Sequence, residues 1–141
     1  DLMDALTVYR SDFEPSEQLD HPYTMIGVNI VAADTNDEAR RLYTSMQMQS
    51  VDMLRGCRDP LPAPIDDIED YWSGPERSAV EQKLACSFVG SANTVYESLA
   101  RFLDATRADE LIVNVRIHDE AAARHCLEIL AEVRDRFVTG S

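Results

Sequence analysis

Short apolar runs alternate with longer segments of helical periodicity along the chain, and this pairing occurs three times. The runs predict strands and the periodic segments predict helices. The predicted pairs cover residues 23–33 with 37–54, 84–89 with 92–106, and 111–117 with 120–137. Because strands that alternate with helices form parallel sheets covered by helices, the pattern predicts an α/β fold of about three parallel βα units.

The first of these pairs carries clear local signals. Residues 23–31 are nearly continuously apolar, which is typical of a strand covered on both faces. The following helix has a start signal, because Thr35 can cap it and Glu38 stands three residues later, as in a capping box. Its predicted buried stripe follows the three-and-four spacing of one helical face through Ala39, Leu42, Tyr43, Met46, Met53 and Leu54.

Residues 58–75 form a proline-rich and acidic excursion, the longest insertion between predicted strands. Its prolines exclude regular helix at the start, since proline fixes its backbone torsion and lacks an N–H. The acidic run 66–70 lies among apolar and aromatic residues, which predicts a short amphipathic helix better than a metal site. We expect the excursion to be a surface segment or a lid. Pro75 then predicts the first turn of a helix that ends near residue 84.

The length sets a limit on the fold. A complete eight-unit (β/α) barrel needs about 250 residues, and this chain has 141. The apolar residues at the start, Leu2, Ala5, Leu6 and Tyr9, predict the late turns of a helix whose beginning is missing. We therefore expect a single segment over 1–141 that is a piece of a larger barrel. Residues 138–141 leave the helical pattern and predict an irregular tail.

The net charge limits the classes of partner that we expect. The chain carries 26 acidic and 13 basic side chains, a formal net charge of −13. This charge opposes nucleic acids and anionic membranes, so we expect neither as a partner and interpret the acid excess as solvated helix faces. No apolar run approaches the roughly 20 residues that a membrane span needs, and no secretory leader is visible. We therefore expect a cytoplasmic protein.

The cysteines and histidines form no recognised reactive pattern. The three cysteines, Cys57, Cys86 and Cys126, lack the spacing of a zinc site or a disulfide framework. Cys86 lies in a predicted strand and Cys126 on the apolar stripe of the last predicted helix, so both are predicted to be small core residues. The histidines His21, His118 and His125 match no triad spacing. His118, just past the last predicted strand, is the one placed where a barrel would use an acid or base.

The carboxyl ends of the second and third predicted strands carry the candidate binding residues. Gly90 and Ser91 break a strand and cap a helix, whose free amides can hold an anion such as phosphate. Ordinary βα-loop structure explains the same pair of residues. Asn114 and Arg116 lie at the end of the third predicted strand, where barrel active sites are found. Arg116 suits an anionic ligand or a surface ion pair, and the ion pair is the commoner role.

A series of short motifs extends over nearly the whole chain. They are Tyr9-Arg10-Ser11, Pro15-Ser16-Glu17-Gln18-Leu19, Pro22-Tyr23, Gly27-Val28-Asn29, Ala32-Ala33-Asp34-Thr35, Glu38-Ala39-Arg40-Arg41-Leu42, Val89-Gly90-Ser91, Thr94-Val95 and Ala108-Asp109-Glu110-Leu111. Their order and distances together resemble the carboxyl-terminal region of the bacterial luciferase-like, flavin-dependent monooxygenases.

The resemblance implies an eight-stranded (β/α) TIM barrel of which this chain supplies the last three units. It implies reduced flavin mononucleotide (FMN), or a deazaflavin in some branches, as the cofactor of the intact proteins, together with a small-molecule substrate. Gly90 and Ser91 are the only cofactor-binding residues that it carries over. Here the usual Pro-Glu pair after them is replaced by Ala92-Asn93. The resemblance nominates no catalytic residue and no metal.

Three functions remain open at this point. The chain is the carboxyl-terminal part of a flavin-dependent monooxygenase that is inactive alone, a non-catalytic self-associating module, or a small flavin-binding protein of the same family. An open half barrel exposes sheet edges and apolar inner positions, which invite association. We therefore expect a homo-oligomer.

Overall fold

The computed structural model describes residues 1–16 and 18–139, which form five helices and three strands. Glu17, Gly140 and Ser141 lie outside the described residues, and with them one motif residue and the end of the predicted tail. The elements in order are α1 Leu2–Asp12, β1 Met25–Ala32, α2 Asn36–Leu54, α3 Gly74–Lys83, β2 Ser87–Gly90, α4 Ala92–Thr106, β3 Glu110–Asn114 and α5 Glu120–Thr139.

The three predicted βα pairs are confirmed, with shorter strands. The second strand begins at Ser87 and not at residue 84, because Leu84 closes α3 through its amide, which donates to the Val80 carbonyl at 2.8 Å. The third strand ends at Asn114, and the residues up to Ile117 are irregular. The predicted irregular tail is wrong at Val138 and Thr139, which are the last two residues of α5.

The predicted cap at Thr35 is confirmed. The Thr35 side chain accepts a hydrogen bond from the Glu38 amide at the start of α2. Ser73 and Glu76 form a complete capping box at α3, which has proline in its first turn. In α2 the predicted stripe is buried at Ala39, Leu42 and Met46, but Met53 and Leu54 are exposed. The helix ends there, and the buried Val51 is its last core contact.

The acidic run does not form the predicted helix. Residues 66–72 form turns, in which the Tyr71 amide donates to the Ile68 carbonyl at 2.8 Å. The Asp67 carboxylate accepts the Glu69 amide at 2.9 Å. An aspartate that binds the backbone two residues ahead offers it an alternative to helical hydrogen bonds, which explains the turn.

All strand pairs are parallel, as predicted, and the strand order is β2-β1-β3. The first strand is therefore central. In a closed (β/α) barrel, successive strands are neighbours, so this order differs from that of three successive barrel strands. β3 pairs with the first part of β1, from Met25 to Asn29, and β2 pairs with the second part, from Asn29 to Ala32.

The core lies along β1, and the two halves of this strand are buried to different extents. Ile30 and Val31 are both fully buried, and since successive strand residues face opposite sides, the carboxyl half of β1 is covered on both faces. In the amino half, Ile26 and Val28 are buried but Met25 is 56% exposed. The prediction of a strand covered on both faces therefore holds for the carboxyl half only.

Helices α4 and α5 contribute Val95, Leu99, Cys126, Ile129 and Val133 to this core, beside the buried residues of α2. Across residues 1–16 and 18–139, no helix is both long enough and apolar enough to cross a membrane.

Candidate functional site

A row of hydrogen-bonded polar side chains crosses the three strands. The register places Asn29 of β1 opposite both Ser87 of β2 and Asn114 of β3. The Asn114 amide nitrogen Nδ2 donates to Asn29 Oδ1 at 3.0 Å, and Asn29 Nδ2 donates to Ser87 Oγ at 3.2 Å. Of these three residues, Asn114 was a candidate from the sequence. The other two stand in apolar strands, and their common level emerges only from the strand register.

Tyr43 of helix α2 lies beside this row, Ser87–Asn29–Asn114. Burial raises the pKa of the Tyr43 hydroxyl, and a hydrogen bond with Ser87 opposes that shift. The tyrosine is therefore protonated at neutral pH and acts as a hydrogen-bonding group, not as an anion.

The predicted binding turn at Gly90 and Ser91 has an internal structural role. A Cβ atom added at Gly90 would lie 2.7 Å from Asn36 Oδ1 and 2.7 Å from Thr94 Cγ2, so the space beside the glycine is filled by protein atoms. The Ser91 amide donates to Asn36 Oδ1 at 2.8 Å, and the Ser91 hydroxyl accepts the Thr94 amide at 3.4 Å. The turn thereby ties the start of α4 to the start of α2.

The turn at Gly90 and Ser91 is poorly suited to bind a phosphate. The Ser91 amide is already committed to a side chain of the same protein, and the gap at Gly90 holds no room for a ligand atom. The amides of the following two residues remain in the first helical turn, where no intrahelical acceptor is available. The assignment of Gly90 and Ser91 to a cofactor stays a prediction.

The other candidates at the carboxyl edge lie apart from this turn. Arg116 donates a hydrogen bond to the side-chain amide oxygen of Gln49 of α2, which is a neutral partner and not a carboxylate. His118 is exposed in the loop after β3. Asp119 caps α5, because its carboxylate accepts the Ala122 amide at 2.9 Å.

His125 connects α5 to the loop after β1. Its Nε2 lies 2.7 Å from Asp34 Oδ1, and its Nδ1 lies 3.2 Å from Glu128 Oε2. The hydrogen bond to Asp34, followed by that to Glu128, raises the pKa of His125. This contact was missed in the sequence because its members are 91 positions apart. It fixes the carboxyl edge of the sheet and involves no nucleophile.

The cysteines are free. Cys126 is fully buried, its Sγ accepts the Ala32 amide at 3.3 Å, and burial raises the pKa of its thiol. The core role predicted for it is confirmed. Cys57 is exposed and Cys86 is half-buried. In the part of the chain that the structure describes, no group of histidine, cysteine and acidic side chains is arranged to hold a metal ion.

An open groove of about 580 Å³ lies between α2, the excursion 58–75 and β2. Its walls include Tyr43, Thr44, Gln47, Ile68 and Val89. The volume lies within the range of ligand pockets, roughly 300–1,000 Å³, but both arginines on its rim, Arg40 and Arg41, are paired with aspartates. No convergent set of unpaired charges marks a ligand.

The excursion is fixed to α2 at several points. The Thr44 hydroxyl accepts the Ile65 amide at 2.9 Å. Arg55 donates to the Tyr71 carbonyl at 3.0 Å and to both carboxylate oxygens of Glu76. The hydrogen bonds from Arg55 and then from Ser73 lower the pKa of Glu76 to about 2. Of the two predicted roles, these contacts favour a surface segment over a mobile lid.

Comparison with known proteins places the chain among longer relatives. It is 41% identical over 137 residues to the luciferase-like monooxygenase of Escherichia coli K12, and this match covers 97% of the chain and 41% of that protein. It is 40% identical over 129 residues to the uncharacterized protein YvbT of Bacillus subtilis 168, covering 92% of the chain and 38% of the relative. No family model matches the chain.

A solved structure agrees with these sequence matches. The crystal structure of apo-MsnO8 superposes with a TM-score of 0.81 and 29% sequence identity, over 95% of this chain and 41% of that one. The chain thus spans about two fifths of the length of the proteins it matches. On this evidence nearly the whole chain is similar, in sequence and in fold, to a part of the luciferase-like monooxygenases.

Proposed function

We propose that the chain is the carboxyl-terminal part of a luciferase-like flavin-dependent monooxygenase and is inactive by itself. The observation that carries this proposal is the fold match over 95% of the chain but only 41% of the matched structure. The sheet of three strands is open, whereas a complete TIM barrel closes eight strands into a ring. In this proposal 1–141 is one half-barrel segment, and 58–75 is an excursion on its surface.

The cofactor of the intact protein is proposed to be FMN, which would supply the redox chemistry when bound. The residues present here do not fit it as a complete site, because the Ser91 amide and the space at Gly90 are occupied within the chain. We therefore assign the binding of the flavin and of a small-molecule substrate mainly to the remaining three fifths of the enzyme. No reaction step is assigned to a residue of this chain.

A second candidate function is a non-catalytic, self-associating module. The exposure of Ile112 and Val113 on β3 favours it, because an apolar strand at a sheet edge promotes association. Under either function we propose that the isolated chain is a homo-oligomer. The formal charge of −13 supports the proposal that neither nucleic acid nor an anionic membrane is its partner.

The test is an FMN titration of two proteins. One is this chain, and the other joins it to the section of the Escherichia coli relative that lies outside the 137 matched residues. We expect the joined protein to bind FMN with quenching of flavin fluorescence, and the chain alone to leave the fluorescence unchanged. Stoichiometric binding by the chain alone would establish the small flavin-binding protein instead. A folded joined protein without flavin binding would reject a flavin enzyme altogether.

A further inference from the structure

The groove between α2, the excursion and β2 has an inner wall without charge. This wall is formed by buried or half-buried side chains, namely Tyr43, Thr44, Gln47, Ile68 and Val89. Apolar side chains with a few placed polar groups are the usual lining of a small-molecule site. The inner wall therefore suits the apolar body of a ligand.

Gln47 brings an unused hydrogen-bonding group to this wall. Its side chain is half-buried, and among residues 1–16 and 18–139 its amide has no hydrogen-bond partner. The Thr44 hydroxyl beside it is, in contrast, committed to the Ile65 amide, which it accepts at 2.9 Å. A side-chain amide offers two N–H donors and a carbonyl acceptor. Gln47 thus leaves polar atoms inside the groove for a bound molecule to satisfy.

The rim adds two guanidinium groups whose ion pairs leave most of their donors unused. Arg41 donates to Asp66 through Nε at 2.9 Å. Arg40 donates to Asp37 through one terminal nitrogen. Since a guanidinium carries five N–H donors, both arginines retain nitrogens for a further acceptor. The two ion pairs are exposed and contribute little to stability, so a ligand can compete with them.

The exposure of the paired side chains decides which charge the rim presents to a ligand. Arg41 is 50% exposed and its partner Asp66 is 93% exposed, so the arginine packs against the protein and the carboxylate extends into water. Arg40 and Asp37 differ in the same sense. A charge surrounded by water is screened more strongly than one beside the protein surface. The rim therefore favours an anionic group.

The spacing along α2 separates the charged and the neutral donors. Arg40 and Gln47 are seven positions apart, which places them on the same side of the helix at a distance of about 10 Å along its axis. A ligand that uses both must therefore carry an anionic group at one end and a second hydrogen-bonding group further along.

We propose that this groove binds a small organic carboxylate with an apolar body and a second hydrogen-bond acceptor. The carboxylate binds the free nitrogens of Arg40 and Arg41, and Gln47 donates to the second acceptor. The apolar body lies against Ile68 and Val89. This site lies within the present chain and does not depend on the flavin of the proposed function.

The test is an NMR titration of the chain with para-acetamidobenzoate, which has a carboxylate, an aromatic body and an amide acceptor. The backbone amides of α2 and the side-chain amide of Gln47 should show saturable shifts. The neutral analogue para-acetamidobenzamide should bind about tenfold more weakly, because it lacks the charge that the guanidinium groups bind. Gln47→Leu should weaken the binding of para-acetamidobenzoate but not that of benzoate, which has no second acceptor.

The two partners of one ion pair provide the sharpest comparison. Arg41→Gln should weaken the binding of para-acetamidobenzoate about tenfold, since it removes a guanidinium group. Asp66→Asn should strengthen it, since it frees Nε of Arg41 and removes a competing carboxylate. If the ion pair served stability alone, both variants would change in the same direction. Arg124→Gln is the matched control, because Arg124 forms a similar exposed ion pair with Glu120 on α5.

Three results would overturn the proposal. They are the absence of saturable shifts, equal affinity for the acid and its neutral analogue, and binding that Arg41→Gln and Asp66→Asn leave at the level of the control. Because Asp66 is 93% exposed, Asp66→Asn keeps the test decisive even where circular dichroism shows that Arg41→Gln does not fold. The FMN titration does not involve this groove, so failure of the carboxylate site and failure of the proposed function are told apart.

Discussion

At the scale of single residues, Gly90 shows why a turn between a strand and a helix needs glycine. Any Cβ would meet the side chains of Asn36 and Thr94 at 2.7 Å, and the backbone φ there is +156°. Gly27, by contrast, has no atom within 4 Å of an added Cβ. The same chemical change is therefore expected to have opposite consequences at the two glycines.

Gly90→Ala should lower the free energy of unfolding by about 1–3 kcal/mol, the range for a forced steric overlap. Gly27→Ala should leave the stability unchanged or raise it slightly, because alanine restricts the unfolded chain more than glycine does. Urea unfolding followed by circular dichroism measures both. Equal destabilisation by the two substitutions would contradict the crowding seen at Gly90.

The His125 contact predicts a pH-dependent stability. The hydrogen bonds to Asp34 and Glu128 raise the pKa of His125 in the folded protein. A raised pKa means that the stabilisation is complete below the unfolded value, about 6.5, and is lost as the pH rises through the folded value. The Tm difference between the native chain and His125→Gln should thus be larger at pH 5.5 than at pH 8.5.

His118→Gln serves as the control for this measurement, because it removes an exposed histidine outside the Asp34 contact. Its Tm should follow that of the native chain at both pH values. A His125→Gln difference that is the same at pH 5.5 and 8.5 would refute the role of the protonated imidazole.

Sequence patterns identify residues that act locally and miss those that act across the fold. Thr35 and Ser91 are visible in the sequence as helix caps because each of them binds the amide three positions ahead. The Ser91 amide donates a hydrogen bond to Asn36, which lies 55 positions away, and no local sequence pattern predicts that contact. This long-range contact, and not the cap, decides whether the turn can hold a ligand.

At the scale of elements, the excursion 58–75 depends on its attachment to α2. Its prolines prevent regular secondary structure, so side-chain contacts must supply the order that backbone ladders supply elsewhere. Thr44 is 5% exposed, and its hydroxyl accepts the Ile65 amide and also lies within hydrogen-bond distance of the Ile65 carbonyl. The excursion is therefore expected to loosen when this single hydroxyl is removed.

Thr44→Val keeps the shape of the side chain but leaves the Ile65 amide without its acceptor. The expected cost is about 1–3 kcal/mol of unfolding free energy, the penalty for a part-buried donor left unsatisfied. Limited proteolysis should then cut within 58–73 faster than in the native chain. Thr7→Val is the control, since Thr7 lies on the exposed side of α1 and should change neither readout. Unchanged proteolysis of Thr44→Val would show that the excursion is held by other contacts.

Helices were easier to predict than strands. The periodicity of α4 and α5 extends over four or more turns and is confirmed by the burial of Val95, Leu99, Cys126 and Ile129. β2 has four residues and β3 has five, too few for a period to fix their ends. The acidic turn at 66–72 was mistaken for a helix because apolar spacing cannot detect an aspartate that binds the backbone.

At the scale of the whole molecule, the parallel α/β class follows from the alternation of strands and helices, but the strand order does not. Residues 23–33 are the longest predicted strand, and that strand takes the centre of the sheet. Which strand lies on which side of it depends on contacts between residues more than 80 positions apart. One of them is the hydrogen bond from the Thr24 amide to the Asp109 carboxylate. The polar row Ser87–Asn29–Asn114 depends on the register of the three strands, so the sequence could not predict it either.

Amide hydrogen exchange of the isolated chain tests the central claim, that this module is an open portion of a larger fold. β1 should exchange slowly at every protein concentration, because its carboxyl half is buried on both faces. β3 should exchange quickly in dilute solution and more slowly as the concentration rises and self-association covers its edge. Protection of β3 equal to that of β1 and independent of concentration would show a closed, self-sufficient domain and contradict the account.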